Sequence, residues 1–285
     1  MIQVSAFNSL HALGRAITHC ISLRTEYLPD NGIQVSFPVL PEAKSPTRFA
    51  LLRAWLRWCD ESHYCNKHNA ESKTVLPTRL LYIGGPNTDA LRLYCPKKYD
   101  IMEYVALSHC WGELTPKNKL QFCTTNNNIK ARLKKFSFSE LPKTFQDAVK
   151  VTRELDVQYL WIDSLCIIQG NKGDWEHEAK RMEGVFASAY CIIAATSAVD
   201  SNAGFLKRNV SSEYIYVQDT SGRQFHVCAD IDDFDNDVEK ARLNTRAWVM
   251  QERVLSGRTI HFSANQTYFE CGEGVYCENL TRMER

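Results

Sequence analysis

The chain has 285 residues, of which 44% are hydrophobic, so it can bury one large core or a core with a substantial subdomain. Its 34 basic and 33 acidic residues give a formal net charge of +1, so the charge gives no reason to expect nucleic acid or an anionic membrane as a partner. No segment reaches the ~18 apolar residues of a membrane span, and the first residues lack the apolar core of a signal peptide. Eleven cysteines, mostly in apolar runs, are typical of reduced thiols. We therefore expect a globular protein of the cytoplasm.

Residues 1–103 predict an N-terminal lobe that leads into the main core. Ile33–Phe37 has the composition of a strand, and a loop punctuated by prolines follows it. Apolar residues recur at helical spacing from Arg48 to Trp58. The runs LPTRLLYI and RLYC then predict two short strands.

Residues 104–262 alternate strand and helix patterns. Strands are predicted for YVALSHC, YLWIDSLCI and CIIAATS, and helices for PKTFQDAVKVTREL and WEHEAKRMEGVFASA. Right-handed crossovers through the two helices place the three strands parallel. The fold class is therefore α/β, with a short parallel sheet flanked by helices, doubly wound or a truncated version of it.

The pattern changes after Asp200 to shorter, mixed α+β elements. A strand pair is predicted near Tyr214–Val217 and Gln224–Cys228, an acidic loop from Asp230 to Glu239, and a helix near Thr245–Leu255. RTIHF and TYFEC predict a hairpin. We expect three parts: the lobe of residues 1–103, a core of residues 104–262, and a C-terminal hairpin and tail of residues 263–285.

The carboxyl ends of parallel strands lie at one edge of a sheet, which is where such sheets bind ligands. Ser108, His109 and Asp163 follow predicted strands, and Gln169 lies in the loop after Asp163. Glu178 falls early in the next predicted helix, on or beside its apolar stripe, so it should be half buried. We predict a crevice with Ser108, Asp163 and Glu178 as catalytic candidates. The alternatives are a turn-capping role for Asp163 and a capping-box role for Glu178.

Six side chains are candidates for ligand binding: His109, Trp111, Gln169, Trp175, Arg246 and Arg253. Trp111 could stack on a planar ligand or form the rim of the core. Arg246 and Arg253 lie among apolar anchors such as Trp248 and Val254, either in buried ion pairs, with Glu252 a natural partner, or as anion-binding groups.

Nucleophilic and metal chemistry have weaker patterns. Neighbouring strand residues point to opposite faces, so His109 is poorly placed as a base for Ser108, and Cys166 has apolar neighbours that should keep its thiol protonated. Four potential zinc ligands occur as C-x3-H-x-C-x2-H, and the alternative is an apolar packing cluster. These weak candidates are Cys59, His63, Cys65 and His68.

Five blocks together resemble the fungal heterokaryon incompatibility (HET) domain over about residues 104–262. They are YVALSHCWG, LPKTFQDAV, YLWIDSLCIIQ, DWEHEAKRMEGVFASAYCIIAA and TRAWVMQERVLSGRTIHF. The resemblance implies a fungal cytoplasmic protein of self/non-self recognition whose activation triggers growth arrest or cell death. HET domains are in turn distantly similar to the Toll/interleukin-receptor (TIR) domain, which has a flavodoxin-like fold. Some TIR domains cleave NAD with a glutamate on a helix shortly after a tryptophan, for which this chain offers Trp175 and Glu178.

The resemblance leaves the activity open between three classes. The protein could hydrolyse the N-glycosidic bond of NAD or a related nucleotide, with NAD as a substrate and no cofactor. It could be a signalling module without catalysis that associates with itself or with another incompatibility protein. It could also be an enzyme of the same fold that acts on a small metabolite.

Overall fold

A computed structural model describes residues 46–63, 65, 76–86, 88–113, 115, 122–208, 215–218, 224–227, 233–278 and 282–283. The α-helices are α1 (Pro46–Ser62), α2 (Ile129–Arg132), α3 (Lys143–Glu154), α4 (Asp163–Cys166), α5 (Lys172–Ala179), α6 (Met182–Ala187) and α7 (Ala247–Leu255). Short 3-10 helices span Phe138–Glu140 and Arg242–Thr245, and one π-helical turn spans Asp235–Glu239. The strands are β1 (Leu80–Tyr82), β2 (Ala90–Tyr94), β3 (Val105–Ser108), β4 (Phe136–Ser137), β5 (Tyr159–Trp161), β6 (Cys191–Ala194), β7 (Ile215–Gln218), β8 (Gln224–Val227), β9 (Arg258–Phe262), β10 (Thr267–Cys271), β11 (Gly274–Cys277) and β12 (Arg282–Met283). The strand predicted at Ile33–Phe37 lies outside the described residues.

Ten strands of the described ranges form one mixed sheet in the order β12-β11-β10-β9-β6-β3-β5-β1-β2-β4. The α/β class and the parallel arrangement of β3, β5 and β6 are confirmed. The expected short parallel sheet is instead the centre of a long mixed one. The hairpin β1–β2 extends it antiparallel beyond β5, and β9 pairs parallel with β6 and brings β10, β11 and β12 with it. β7 and β8 form the predicted strand pair, separate from this sheet.

Helix α3 illustrates how the sequence dictates an element. Phe145, Ala148, Val149 and Thr152 recur at helical spacing, and all four are buried. Pro142 occupies the extended N-cap position, one residue before the first turn. The strands β3 and β6 are buried at every residue, as parallel strands are when helices cover both faces of the sheet.

The helix predicted from Trp175 to Ala189 is wrong as one continuous element. It breaks into α5 and α6 at Lys180 and Arg181. At the break, the Arg181 side chain donates from Nη2 to the carbonyl oxygen of Leu76, 2.7 Å away. The break changes the position of Glu178 within its helix.

The two ends of the described chain pack together. Trp55 of α1 stacks on Phe269 of β10 with 5.8 Å between ring centroids, and the buried Arg48 donates from Nε to Thr267 at 3.0 Å. Strands on both sides of residues 104–262 continue the same sheet, and the three-part division stays a prediction. No helix in the described ranges has the length and hydropathy needed to cross a bilayer.

Candidate functional site

The carboxyl ends of the parallel strands meet at one edge of the sheet. β3 ends at Ser108, and Asp163 comes two residues after the end of β5. Because β3 and β5 pair directly, both residues lie at the edge where the sequence placed them.

Ser108 is hydrogen-bonded to a buried carboxylate that comes from α7. Its hydroxyl donates to Glu252, with 2.5 Å between Oγ and Oε2, and the two residues are 3% and 9% exposed. Burial raises the pKa of Glu252 to about 7; the Ser108 hydrogen bond opposes this rise, the negative charge of Asp163 adds to it, and the positive charge of Arg246 opposes it. A carboxyl group with this pKa changes protonation near neutral pH and is suited to general acid or base chemistry.

Asp163 is held by groups on both of its oxygens. Trp111 donates from Nε1 to Oδ2 at 2.8 Å, and the backbone N–H of Ser164 donates to Oδ1 at 2.6 Å. The helix that starts at Asp163 has no side-chain hydrogen bond at its N-cap, so the turn-capping alternative for Asp163 stays a prediction; the side chain fixes the indole of Trp111. The amide of Gln169 donates to the Asp163 carbonyl oxygen at 3.4 Å and lines a shallow cavity of about 480 Å³ with residues 125–128.

Arg246 contacts the backbone of His109. Arg246, at the N-cap of α7, donates from Nη1 to the His109 carbonyl oxygen at 2.5 Å. The His109 ring is buried edge-on against Phe145, and burial lowers its pKa to about 4 despite the nearby Asp163. The imidazole is therefore neutral at pH 7. As expected, it is not the base for Ser108, whose hydroxyl bonds to Glu252.

Glu178 lies in the last turn of α5 and is its one buried residue, 2% exposed. The helix is capped instead by Asn171, whose side chain accepts from the N–H of Asp174 at 3.2 Å. The capping-box alternative for Glu178 is therefore wrong, because the helix begins two residues before Asp174 and ends one residue after Glu178.

The partners of Glu178 form a separate polar cluster around Arg79. Arg79 donates from Nη2 to both oxygens of Asp174 at 2.6 Å and from Nε to the carbonyl oxygen of Cys166 at 2.6 Å. The Arg79 guanidinium lies 3.8 Å from Glu178 Oε1, an atom that has no hydrogen-bond partner in the described part of the chain. Glu178 is thus a buried carboxyl group that shares Arg79 with Asp174.

The structure divides the predicted site into two groups. Ser108, Asp163 and Trp111 lie together at the sheet edge with Arg246 and the additional carboxylate of Glu252. Within the described ranges, no hydrogen bond or ion pair joins Glu178 to Ser108 or Asp163. The catalytic assignments of Ser108, Asp163 and Glu178 stay predictions.

Trp175 and Arg253, the two remaining ligand-binding candidates, have no hydrogen bond or ion pair with the sheet-edge site among the described residues. Trp175 is 52% exposed on α5. Arg253 forms ion pairs with Glu270, at 2.6 Å from Nε, and with Glu239, at 2.9 Å from Nη2. The predicted ion-pair role of this helix is therefore confirmed, but Glu252 is not the partner. The guanidinium of Arg253 is already occupied by two carboxylates.

Glu252 was expected to form an ion pair with an arginine, and it instead accepts a hydrogen bond from Ser108. Its position three residues after Val249 puts it on the same face of α7, and Val249 is 2% exposed. Val254, taken as an apolar anchor, is 72% exposed. Helical spacing counted from Val249 alone would have indicated that Glu252 faces the core.

The thiols near this edge are protonated at neutral pH. Burial raises the pKa of Cys166 to about 12, and it also raises the pKa of Cys110. Since the thiolate is the nucleophile, neither cysteine is suited to attack. This agrees with the expectation that apolar neighbours keep Cys166 protonated.

The predicted zinc ligands are partly brought together. Cys59, His63 and Cys65 cluster with Cys271, and the four ligand atoms lie within 4.8 Å of one another. His68, the fourth ligand expected from the local pattern, lies outside the described residues.

Comparison with known proteins identifies a family for the core segment. The model of the heterokaryon incompatibility protein (HET) family matches residues 104–252, which is just over half of the chain. The match starts just before β3 and ends at Glu252, so it includes every residue of the sheet-edge site. No curated protein and no solved structure matches the chain.

Proposed function

Because the chain belongs to the heterokaryon incompatibility protein (HET) family, we propose that it signals growth arrest or cell death when fungal cells recognise non-self. The family points to heterokaryon incompatibility and cell-death signalling in general. The proposed place of action is the cytoplasm, and the proposed partner is a second copy or another incompatibility protein.

We further propose that the sheet-edge site hydrolyses the N-glycosidic bond of NAD or a related nucleotide. The observation that carries this proposal is the buried Glu252 carboxyl, with a pKa of about 7, next to Asp163. Water attacks the anomeric carbon, the bond to the pyridinium nitrogen breaks, and its electron pair leaves with neutral nicotinamide. The proton of the attacking water passes to Glu252.

Three further residues of the sheet edge have roles in this scheme. Asp163 stabilises the oxocarbenium character that develops on the ribose, as carboxylates do in glycoside cleavage. Arg246 attracts the diphosphate. Trp111, whose indole is fixed by its hydrogen bond to Asp163, stacks on a base. The distant likeness to TIR domains supports the same reaction class by analogy only.

The test compares three isosteric variants of the purified protein incubated with NAD, with and without crowding agents. We expect Glu252→Gln and Asp163→Asn to lower nicotinamide release by about 10²-fold or more, the usual contribution of a general acid or base. Glu178→Gln should keep most of the activity, because among the described residues Glu178 forms no hydrogen bond or ion pair with this site. Circular dichroism controls for folding. Absence of nicotinamide release by the wild type under all conditions, or loss in Glu178→Gln alone, refutes the assignment.

A non-catalytic module is the second candidate, and the exposed indole of Trp175 is its proposed contact residue. In that case Glu252→Gln leaves cell killing intact, whereas Trp175→Ser reduces both self-association and killing. Light scattering of the two variants, together with a killing assay in fungal cells, distinguishes the candidates.

A further inference from the structure

Four side chains that bind soft metals converge where the end of α1 meets the β10–β11 turn. Cys59 lies in the last turn of α1, His63 and Cys65 follow that helix, and Cys271 is the last residue of β10. Their three sulfurs and one ring nitrogen lie within 4.8 Å of one another. The Sγ atom of Cys271 is 3.4 Å from Nδ1 of His63.

These separations are close to those of a tetrahedral zinc site. Zinc lies about 2.3 Å from sulfur and about 2.0–2.1 Å from nitrogen, so its ligands are about 3.8 Å apart for two sulfurs and about 3.6 Å for sulfur and nitrogen. The Cys271–His63 distance already agrees with this geometry. The remaining ligand atoms need to move by only about 1 Å or less.

The β10–β11 turn provides hydrogen-bond donors to two of the sulfurs. The backbone N–H of Gly272 donates to Cys65, and that of Glu273 donates to Cys271. A Cβ atom at position 272 would lie 3.2 Å from the Cys65 sulfur, so the close approach of the turn favours glycine. Backbone donors of this kind stabilise metal-bound thiolates and orient them.

The imidazole of His63 is also held in place. Trp58 packs against it edge to face, with 4.1 Å between ring centroids, and Tyr276 lies on a further side of the ring. The ring therefore presents Nδ1 to the sulfurs without losing further conformational freedom. Cys65 and Cys271 are partly exposed, so the cluster is not a fully buried apolar core.

We propose that Cys59, His63, Cys65 and Cys271 bind one zinc ion. Three thiolates and one imidazole form a soft, tetrahedral ligand set, which selects zinc over magnesium or calcium. Four protein ligands leave no open position, so the site is structural and not catalytic. The ion links helix α1, near the start of the described chain, to the β10–β11 hairpin, near its end.

The proposal is independent of the proposed function. In the part of the chain that the structure describes, none of the four ligands forms a hydrogen bond or ion pair with Ser108, Asp163 or Glu252. The zinc site can therefore be wrong while the sheet-edge site is active, and the reverse also holds.

The experiment measures metal in the full chain, purified under reducing conditions from cells grown with zinc. Elemental analysis should find about one zinc per chain. Cobalt added to the metal-free protein should produce thiolate-to-metal charge-transfer bands and the visible bands of tetrahedral cobalt. Both measurements use the wild type, so they test the proposal even if a ligand variant fails to fold.

Two variants then locate the site. Cys271→Ser should weaken zinc binding by more than the roughly 10–100-fold that the loss of an outer-shell partner costs. Cys277→Ser is the matched control, because Cys277 is a buried cysteine of the same hairpin that takes no part in the cluster. A zinc chelator should lower the melting temperature of the wild type and of Cys277→Ser.

Three results overturn the proposal. The first is a zinc-free wild type that gives no cobalt bands. The second is unchanged zinc affinity in a folded Cys271→Ser. The third is a disulfide between two of these cysteines in the reduced preparation, found by mass spectrometry of peptides.

Discussion

Replacing Glu252 by glutamine should make the protein more stable at alkaline pH and leave its stability almost unchanged at pH 4. The folded state raises the pKa of this carboxyl from 4.5 to about 7, chiefly through burial. Between these two values the folded state binds more protons than the unfolded state, so the wild type loses stability as the pH rises. Glutamine has the shape of the neutral carboxyl, can accept from Ser108, and does not ionise.

The magnitude follows from the pKa shift. Each pKa unit corresponds to 1.36 kcal/mol, so a shift from 4.5 to about 7 corresponds to about 3 kcal/mol. Below pH 4 both states are protonated, and the difference between variant and wild type should vanish. Above pH 7 the full difference should be present, with glutamine the more stable side chain.

Urea unfolding at intervals from pH 4 to pH 9 measures this difference. The exposed Glu176 provides the matched control, since Glu176→Gln removes a charge from α5 without touching the site. A difference between Glu252→Gln and wild type that stays flat across the pH range, or that favours the wild type at pH 8, would refute the reasoning. If Glu252 is also the catalytic base, the stabilised variant should be inactive.

Three further changes test the packing by urea unfolding at neutral pH. Arg79→Ala should cost about 3–5 kcal/mol, because it removes the cation that pairs with Asp174 and with the buried Glu178. A loss below about 1 kcal/mol contradicts the ion pairing. Gly112→Ala should cost about 2–5 kcal/mol, since this residue has a φ of 80° and a Cβ there would collide with Asp200; an unchanged midpoint argues against this close approach. Glu278→Ala should cost about 3–5 kcal/mol by removing the carboxylate that pairs with the buried Arg48 and Arg208, and a similar loss in Glu278→Gln, which keeps the shape and removes the charge, would support the same cause.

Local patterns predicted most of the elements around the site. The amphipathic spacing of residues 141–155 predicted α3, and the uninterrupted apolar runs predicted β3 and β6. The helix from Trp175 to Ala189 was wrong as one continuous element; Arg181, at the break, forms a tertiary hydrogen bond with Leu76, and helical spacing alone does not report such a contact.

Pairing between strands that are distant in the chain was harder to predict from the sequence. The hairpin of β9 and β10 was predicted from alternation and a turn, and it is confirmed. The parallel pairing of β9 with β6 was not predicted, because the connection between them carries no regular strand–helix–strand pattern. That pairing delivers α7, and with it Glu252, to the end of β3.

The sequence by itself determined the α/β core, the parallel strands and the position of Ser108 and Asp163 at one edge. It could do so because side-chain periodicity and the handedness of crossovers are properties of short segments. Only the tertiary structure decided that Glu252 meets Ser108 across 144 residues of chain and that Cys271 joins Cys59. These contacts, and the burial that shifts the pKa of Glu252, depend on how distant elements pack on the sheet, and no local spacing encodes that packing.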